Sequence, residues 1–181
     1  IMKRVIIIPD VHGRKFWKEI INEYDGSIPF IFLGDYVDPY KDEGITPIES
    51  LENFKEIWDF KEKWQDSVVM LIGNHDLSYY DKYFRTCRFS YDISEWYNDF
   101  LMKNWEHFKF VHEIMVDDKI YLFSHAGIHP YWLDYYNFER IYSADYINSL
   151  FINKKESFFD YSFYRGGYCR AGSPVWSDIR E

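Results

Sequence analysis

Residues 5–13 read Val-Ile-Ile-Ile-Pro-Asp-Val-His-Gly. Four branched apolar residues in succession predict a strand buried on both faces, the kind a parallel sheet supplies. The run stops at Asp10, followed two residues later by His12 and then Gly13. Taken alone, Asp-x-His after a strand reads as a helix cap beside a surface imidazole.

Three more apolar runs end in the same manner. Residues 29–33 lead into Gly34-Asp35-Tyr36-Val37-Asp38, residues 68–72 into Gly73-Asn74-His75-Asp76, and residues 119–123 into Ser124-His125-Ala126-Gly127. In α/β sheets ligands gather beyond the carboxyl ends of strands, so the four clusters point to one place. Between them the periodicity predicts a helix over 15–24, with Phe16, Ile20 and Ile21 on one face. A second runs from Thr46 to about Gln65, opened by Thr46-Pro47-Ile48-Glu49, with Thr as N-cap, Pro at the first helical position and Glu closing a capping box. Its inward stripe is read as Ile48, Leu51, Ile57, Trp58 and Trp64. A third helix is expected over 95–108, with Trp96 on its apolar face, and a fourth over 144–151. Residues 111–116 and 119–123 flank Asp117-Asp118 and predict an antiparallel hairpin. Residues 79–91 carry no clear pattern, 162–173 read as a loop, and Val175-Trp176 as the start of a further strand. The expected fold is α/β, two packed mixed sheets forming a sandwich flanked by helices.

The residue types at the strand ends restrict the chemistry. Asp, His and Asn without Cys suit a hard or borderline divalent ion such as Mn, Fe or Zn. Asp10 and His12, two apart in a strand-end turn, can reach one ion; Asp35 is a carboxylate able to bridge two; Asn74 and His125 offer neutral ligands to the second. Two such ions clamp a phosphoryl group and turn a bridging water into hydroxide at neutral pH.

Composition narrows the partners. Among 181 residues the net charge is -9, which repels phosphate backbones and argues against general nucleic-acid binding. It does not exclude a phosphorylated substrate at a cation site, because bound cations reverse the local field. The aromatic share of 22% is scattered along the chain and is read as core filling. Cys87 and Cys169 form no CxxC and are read as reduced thiols, which with the lack of a signal-peptide pattern or membrane-length apolar run predicts a cytoplasmic protein. The chain is expected to start at Met2, with Ile1 a remnant ahead of it, and to form a single domain over 2–181.

The four clusters together resemble the signature of the calcineurin-like metallophosphoesterases. Asp10-x-His12-Gly13, Gly34-Asp35-x-Val37-Asp38, Gly73-Asn74-His75-Asp76 and His125-Ala126-Gly127 are most similar to the serine/threonine phosphatase branch, as is Pro174-Val175-Trp176-Ser177-Asp178. The resemblance implies that Asp10, His12 and Asp35 hold one metal, Mn by expectation, and that Asp35, Asn74 and His125 hold the other. It implies His75 as the general acid oriented by Asp38, and attack on phosphorus by hydroxide held between the ions.

The sequence departs from that branch in three places. A further His ligand expected after Trp-Ser-Asp is absent before Glu181, which predicts a missing C-terminal segment or substitution by His129 or water. Pro39 stands where the branch has a phosphate-clamping Arg, leaving Arg14 and Arg180 as candidates. Asp76 stands where the branch has Glu. Rival readings are hydrolysis of a nucleotide or dinucleoside polyphosphate at the same site, and a binding protein that has kept the pocket without turnover.

Overall fold

The opening apolar run forms β1, Ile6–Ile8, in the computed structural model, which describes residues 4–81 and 83–181. The expected start at Met2 lies outside those residues. The described chain divides into two compact units, one formed by residues 4–108 and the other by Lys109 to Glu181. β1, β2 (Phe30–Phe32), β3 (Val68–Leu71) and the two-residue β4 (Phe108–Lys109), which falls at the division, lie in that order in one sheet. β1 to β3 are parallel, with Ile6 opposite Phe30 and Phe30 opposite Val68. β2 and β3 are buried throughout, as continuous apolar runs predict. β1 is not: it is the edge strand, and its Ile7 is 42% exposed.

The helix after β2, α2 (Pro47–Trp64), carries its capping box in full. The Thr46 hydroxyl accepts the Glu49 N–H at 3.2 Å, and the Glu49 carboxylate accepts the Thr46 N–H at 2.8 Å. Its buried face is Leu51, Phe54, Ile57 and Phe60, one residue every three, so the expected stripe needs correcting. Ile48 sits in the exposed first turn, and Trp58 and Trp64 are half-buried at the rim. Likewise α1 (Trp17–Ile21) is shorter than expected and buries Trp17 rather than Ile20. α3 (Asn74–Tyr80) follows β3 directly, and α4 (Tyr91–Lys103) begins four residues before its expected start, capped by the Ser90 hydroxyl. It buries Ile93, Tyr97 and Leu101 and leaves Trp96 40% exposed. Phe30, Phe32 and Phe60 form an edge-to-face cluster under α2, and Phe54 meets Tyr97 at 4.8 Å.

The second unit holds the hairpin β5 (Val111–Val116) and β6 (Lys119–Ser124), in register from Val111 opposite Ser124 to Val116 opposite Lys119. Asp117 and Asp118 both take positive φ, 46° and 62°, as a two-residue hairpin turn matched to strand twist requires. Glycine does this at lower cost, so Asp118→Gly is expected to raise stability by about 0.5–1 kcal/mol. Urea denaturation checks this through a higher midpoint at unchanged slope. α5 (Pro130–Tyr135) and α6 (Ala144–Asn153) follow, packing Trp132, Phe110, Phe151 and Phe158 together. Val175-Trp176 is not a strand. It forms a turn in which Trp176 and Ser177 both donate N–H to the Ser173 carbonyl. The sheets are thus one parallel in its registered pairs and one antiparallel, with helices between and after them, a mixed α/β architecture. No helix among the described residues is long and apolar enough to cross a membrane.

Candidate metal centre

The loops after β1 and β2 in the first unit are tied to one another by main-chain bonds. The Asp35 carbonyl accepts N–H from both Val11 (3.1 Å) and His12 (2.7 Å), and Gly13 N–H reaches the Tyr36 carbonyl at 2.9 Å. His12, Asp35 and Asp38 all have positive φ, at 46°, 53° and 63°. Residues with a Cβ take that conformation at a cost, and it persists where surrounding structure enforces it. The enforcing group is Asp76. Fully buried in α3, its carboxylate accepts N–H from Asp35 (2.7 Å), Tyr36 (3.1 Å) and Gly73 (2.9 Å), and the Tyr97 hydroxyl at 2.9 Å. Burial pushes its pKa up, as does the nearby Asp35 charge, while the backbone N–H bonds pull it down. The crossing is tight enough to exclude any side chain at Gly73: a Cβ there would fall 2.1 Å from Asp35 Oδ1.

These constraints aim the ligands. His75 N–H holds Asp35 Oδ1 at 2.9 Å, and Asp35 Oδ2 faces His12 Nε2 at 3.5 Å. His12 Nδ1 lies 2.9 Å from the Val37 carbonyl, which can only accept, so Nδ1 carries the proton and Nε2 a lone pair. Burial lowers the His12 pKa, against the opposing pull of Asp35, which favours the neutral imidazole a cation needs. A carboxylate oxygen and an imidazole lone pair thus converge in a nearly dry site, an arrangement that could hold a cation. His12, Asp35 and His75 each offer a ligand atom within 4.8 Å of the others, and Asp10 offers one within 4.8 Å of Asp35. The donor set is nitrogen and oxygen without sulfur, which fits a hard or borderline divalent ion.

His75 is held differently. Its Nδ1 lies 2.8 Å from Asp38 Oδ2, so the carboxylate fixes the tautomer and turns Nε2 outward. Asp38 is fully buried and also accepts the Tyr79 hydroxyl, which in turn accepts the Ser90 N–H at 2.8 Å. Burial, and then Asp38, push the Tyr79 pKa well up, so Tyr79 stays a donor. The His75 and His12 rings meet edge to face at 5.0 Å.

Of the residues singled out from sequence, the first unit brings together Asp10, His12, Asp35, Asp38 and His75, with Asn74 opening α3 beside His75. His125 follows β6 in the second unit, half-buried. His129 caps α5, its Nδ1 accepting the Tyr131 N–H at 3.1 Å. Arg14 pairs with Glu43 at 3.1 Å, and Arg180 forms a fork on Asp178 at 2.7 and 2.8 Å, so both guanidinium groups are engaged by carboxylates. Sequence reasoning missed Arg88. Its Nη2 lies 3.3 Å from His12 Nε2 and 3.2 Å from His75 Nε2, and its guanidinium stacks 3.9 Å from the Tyr40 ring. Arg88 belongs to the aperiodic stretch 81–90, and its only linear signal is an arginine thirteen residues after the motif histidine.

A buried carboxylate–imidazole cation site beside a carboxylate-braced histidine defines a class, the metal-dependent hydrolases. The family model for calcineurin-like phosphoesterases matches residues 3–177, and the chain belongs to that family. Its members are metal-dependent phosphohydrolases with dinuclear centres, and the mixed α/β architecture is the one that family carries.

Proposed function

We propose that the protein is a phosphomonoesterase of the serine/threonine phosphatase type, acting on a phosphorylated protein or small phosphoester. The observation that carries this reading is the Asp38–His75 pair beside the His12–Asp35 cation site. A carboxylate on Nδ1 keeps the imidazole oriented with Nε2 outward, the placement from which a protonated ring donates to a leaving alkoxide.

Asp10, His12, Asp35, Asn74 and His125 are the residues proposed to hold two divalent ions, manganese by preference. Held there, such ions would neutralise phosphoryl oxygens and make a bound water more acidic. Asp35 keeps one oxygen on the His75 N–H, which fixes the carboxylate plane while the other oxygen faces His12. His75 Nε2 gives its proton to the departing oxygen, and Asp38 stabilises the imidazole through that transfer. Tyr79, anchored on Ser90, prevents Asp38 from swinging away. The proposed compartment is the cytosol, supported by the two cysteines remaining as thiols.

The direct test is p-nitrophenyl phosphate hydrolysis with added manganese, with metal content measured in parallel. Turnover that disappears with a chelator and returns with manganese is expected. A metal-loaded protein that hydrolyses no phosphoester ends the reading in favour of a binding protein. A panel of phosphoserine peptides against dinucleoside polyphosphates then separates the two enzymatic possibilities.

A further inference from the structure

We propose that Arg88 is the side chain that grips the substrate's phosphoryl group, through a two-pronged guanidinium contact supplied from the segment after α3. The inference rests on the phosphohydrolase reading above and extends it to a residue that none of the strand-end motifs contains.

The geometry of the guanidinium carries the argument. Nε donates to the Asp38 carbonyl at 3.1 Å, which anchors the stem, and the planar group stacks on Tyr40 at 3.9 Å. Nη2 donates toward two imidazole nitrogens, His12 Nε2 and His75 Nε2. Both are acceptors because each ring's Nδ1 proton is committed, to the Val37 carbonyl and to Asp38. Among the described residues, Nη1 meets no acceptor and no carboxylate lies within salt-bridge distance of the group. A half-buried arginine without a carboxylate partner, aimed into a cluster of ligands, is positioned for an anion that arrives from outside.

The anchored stem and the stacked ring hold the two Nη groups side by side next to the two imidazoles. That spacing suits two oxygens of one tetrahedral phosphoryl group, and a phosphate dianion better than a singly charged diester. The backbone at Arg88 has φ 66°, so this placement too is held against local preference. The other two candidates lack the geometry: Arg14 is on Glu43, and Arg180 on Asp178. Pro39, which cannot bind phosphate, sits one residue from Asp38, whose carbonyl anchors Arg88.

The experiment uses the manganese-loaded protein and its Arg88→Ala and Arg88→Lys variants. Metal content is measured by mass spectrometry, inorganic phosphate affinity by calorimetry, and kcat and KM with p-nitrophenyl phosphate. Arg88→Ala is expected to weaken phosphate binding and raise KM by about 10–100-fold, the scale of one charge-assisted contact pair, at unchanged metal content. Arg88→Lys, which keeps the charge but loses the fork, should recover only part of this. Unchanged phosphate affinity in Arg88→Ala overturns the inference alone, provided the parent protein binds phosphate and turns over. Loss of metal together with phosphate overturns it by placing Arg88 in support of the cation site. An inert parent that binds no phosphate removes both this inference and the functional reading beneath it. A phosphate defect found in Arg14→Ala but not in Arg88→Ala transfers the role to Arg14.

Discussion

Asp76→Ala is expected to destabilise the protein by about 3–5 kcal/mol, the range for removing the acceptor at the centre of a buried polar network. The side chain is fully buried and takes four donors, three of them main-chain N–H groups from Asp35, Tyr36 and Gly73. Alanine leaves these donors facing one another without water. For a chain of this size the corresponding fall in Tm is about 10 °C. Asp76→Asn keeps one acceptor oxygen but turns an NH2 toward other N–H groups, so it should fall between. Equilibrium denaturation in urea checks the size, with the slope monitored to exclude a change in the unfolded chain. A loss below about 1 kcal/mol for Asp76→Ala would mean that the turns after β2 and β3 hold without it. The same substitution should release Asp35 from its positive φ, so metal affinity is expected to fall together with stability.

His75→Asn is expected to behave in the opposite way: little change in stability or metal content, and a kcat lower by about 10²–10⁴-fold. Its ring contacts are His12, Asp38, Thr86 and Arg88, none of which lies in a strand. The loss should depend on the leaving group. A p-nitrophenolate departs with little need of a proton, whereas an alkoxide needs one, so an alkyl phosphate should suffer more than p-nitrophenyl phosphate. A uniform loss across leaving groups points instead to phosphate positioning, and unchanged turnover removes His75 from the chemistry. The metal measurement matters because the His75 Nε2 lone pair lies within 4.8 Å of the other ligand atoms. If the substitution emptied the site, His75 would be a ligand rather than an acid.

What the sequence made legible follows from the range of the interactions involved. The capping box at Thr46 and Glu49 and the Asp117-Asp118 hairpin turn are decided within four residues, and both formed as read. The strand-end clusters were readable because each apolar run was short and bounded. Burial patterns were less legible. Ile48 has the right spacing for the stripe of α2 but falls in an exposed first turn, and Phe54 and Phe60 take its place in the core. Ile7 looks buried in a run of isoleucines, yet β1 is an edge strand, and sheet order is not written in any one segment. Val175-Trp176 has strand composition, but the Ser173 carbonyl captures both following N–H groups and curls the segment. Arg88 escaped for a related reason. Its meaning comes from partners 50 and 76 residues earlier, Asp38 and His12, and no local pattern announces them.

Four residues at this centre, His12, Asp35, Asp38 and Arg88, share the left-handed backbone region. Glycine would relax the chain at each position and delete the functional group with it. A library of random variants enriched only for heat tolerance should therefore accumulate glycine or asparagine at these places and drift toward well-folded, inert proteins. Conversely, a screen that keeps turnover should hold all four fixed while letting the rest of the surface vary.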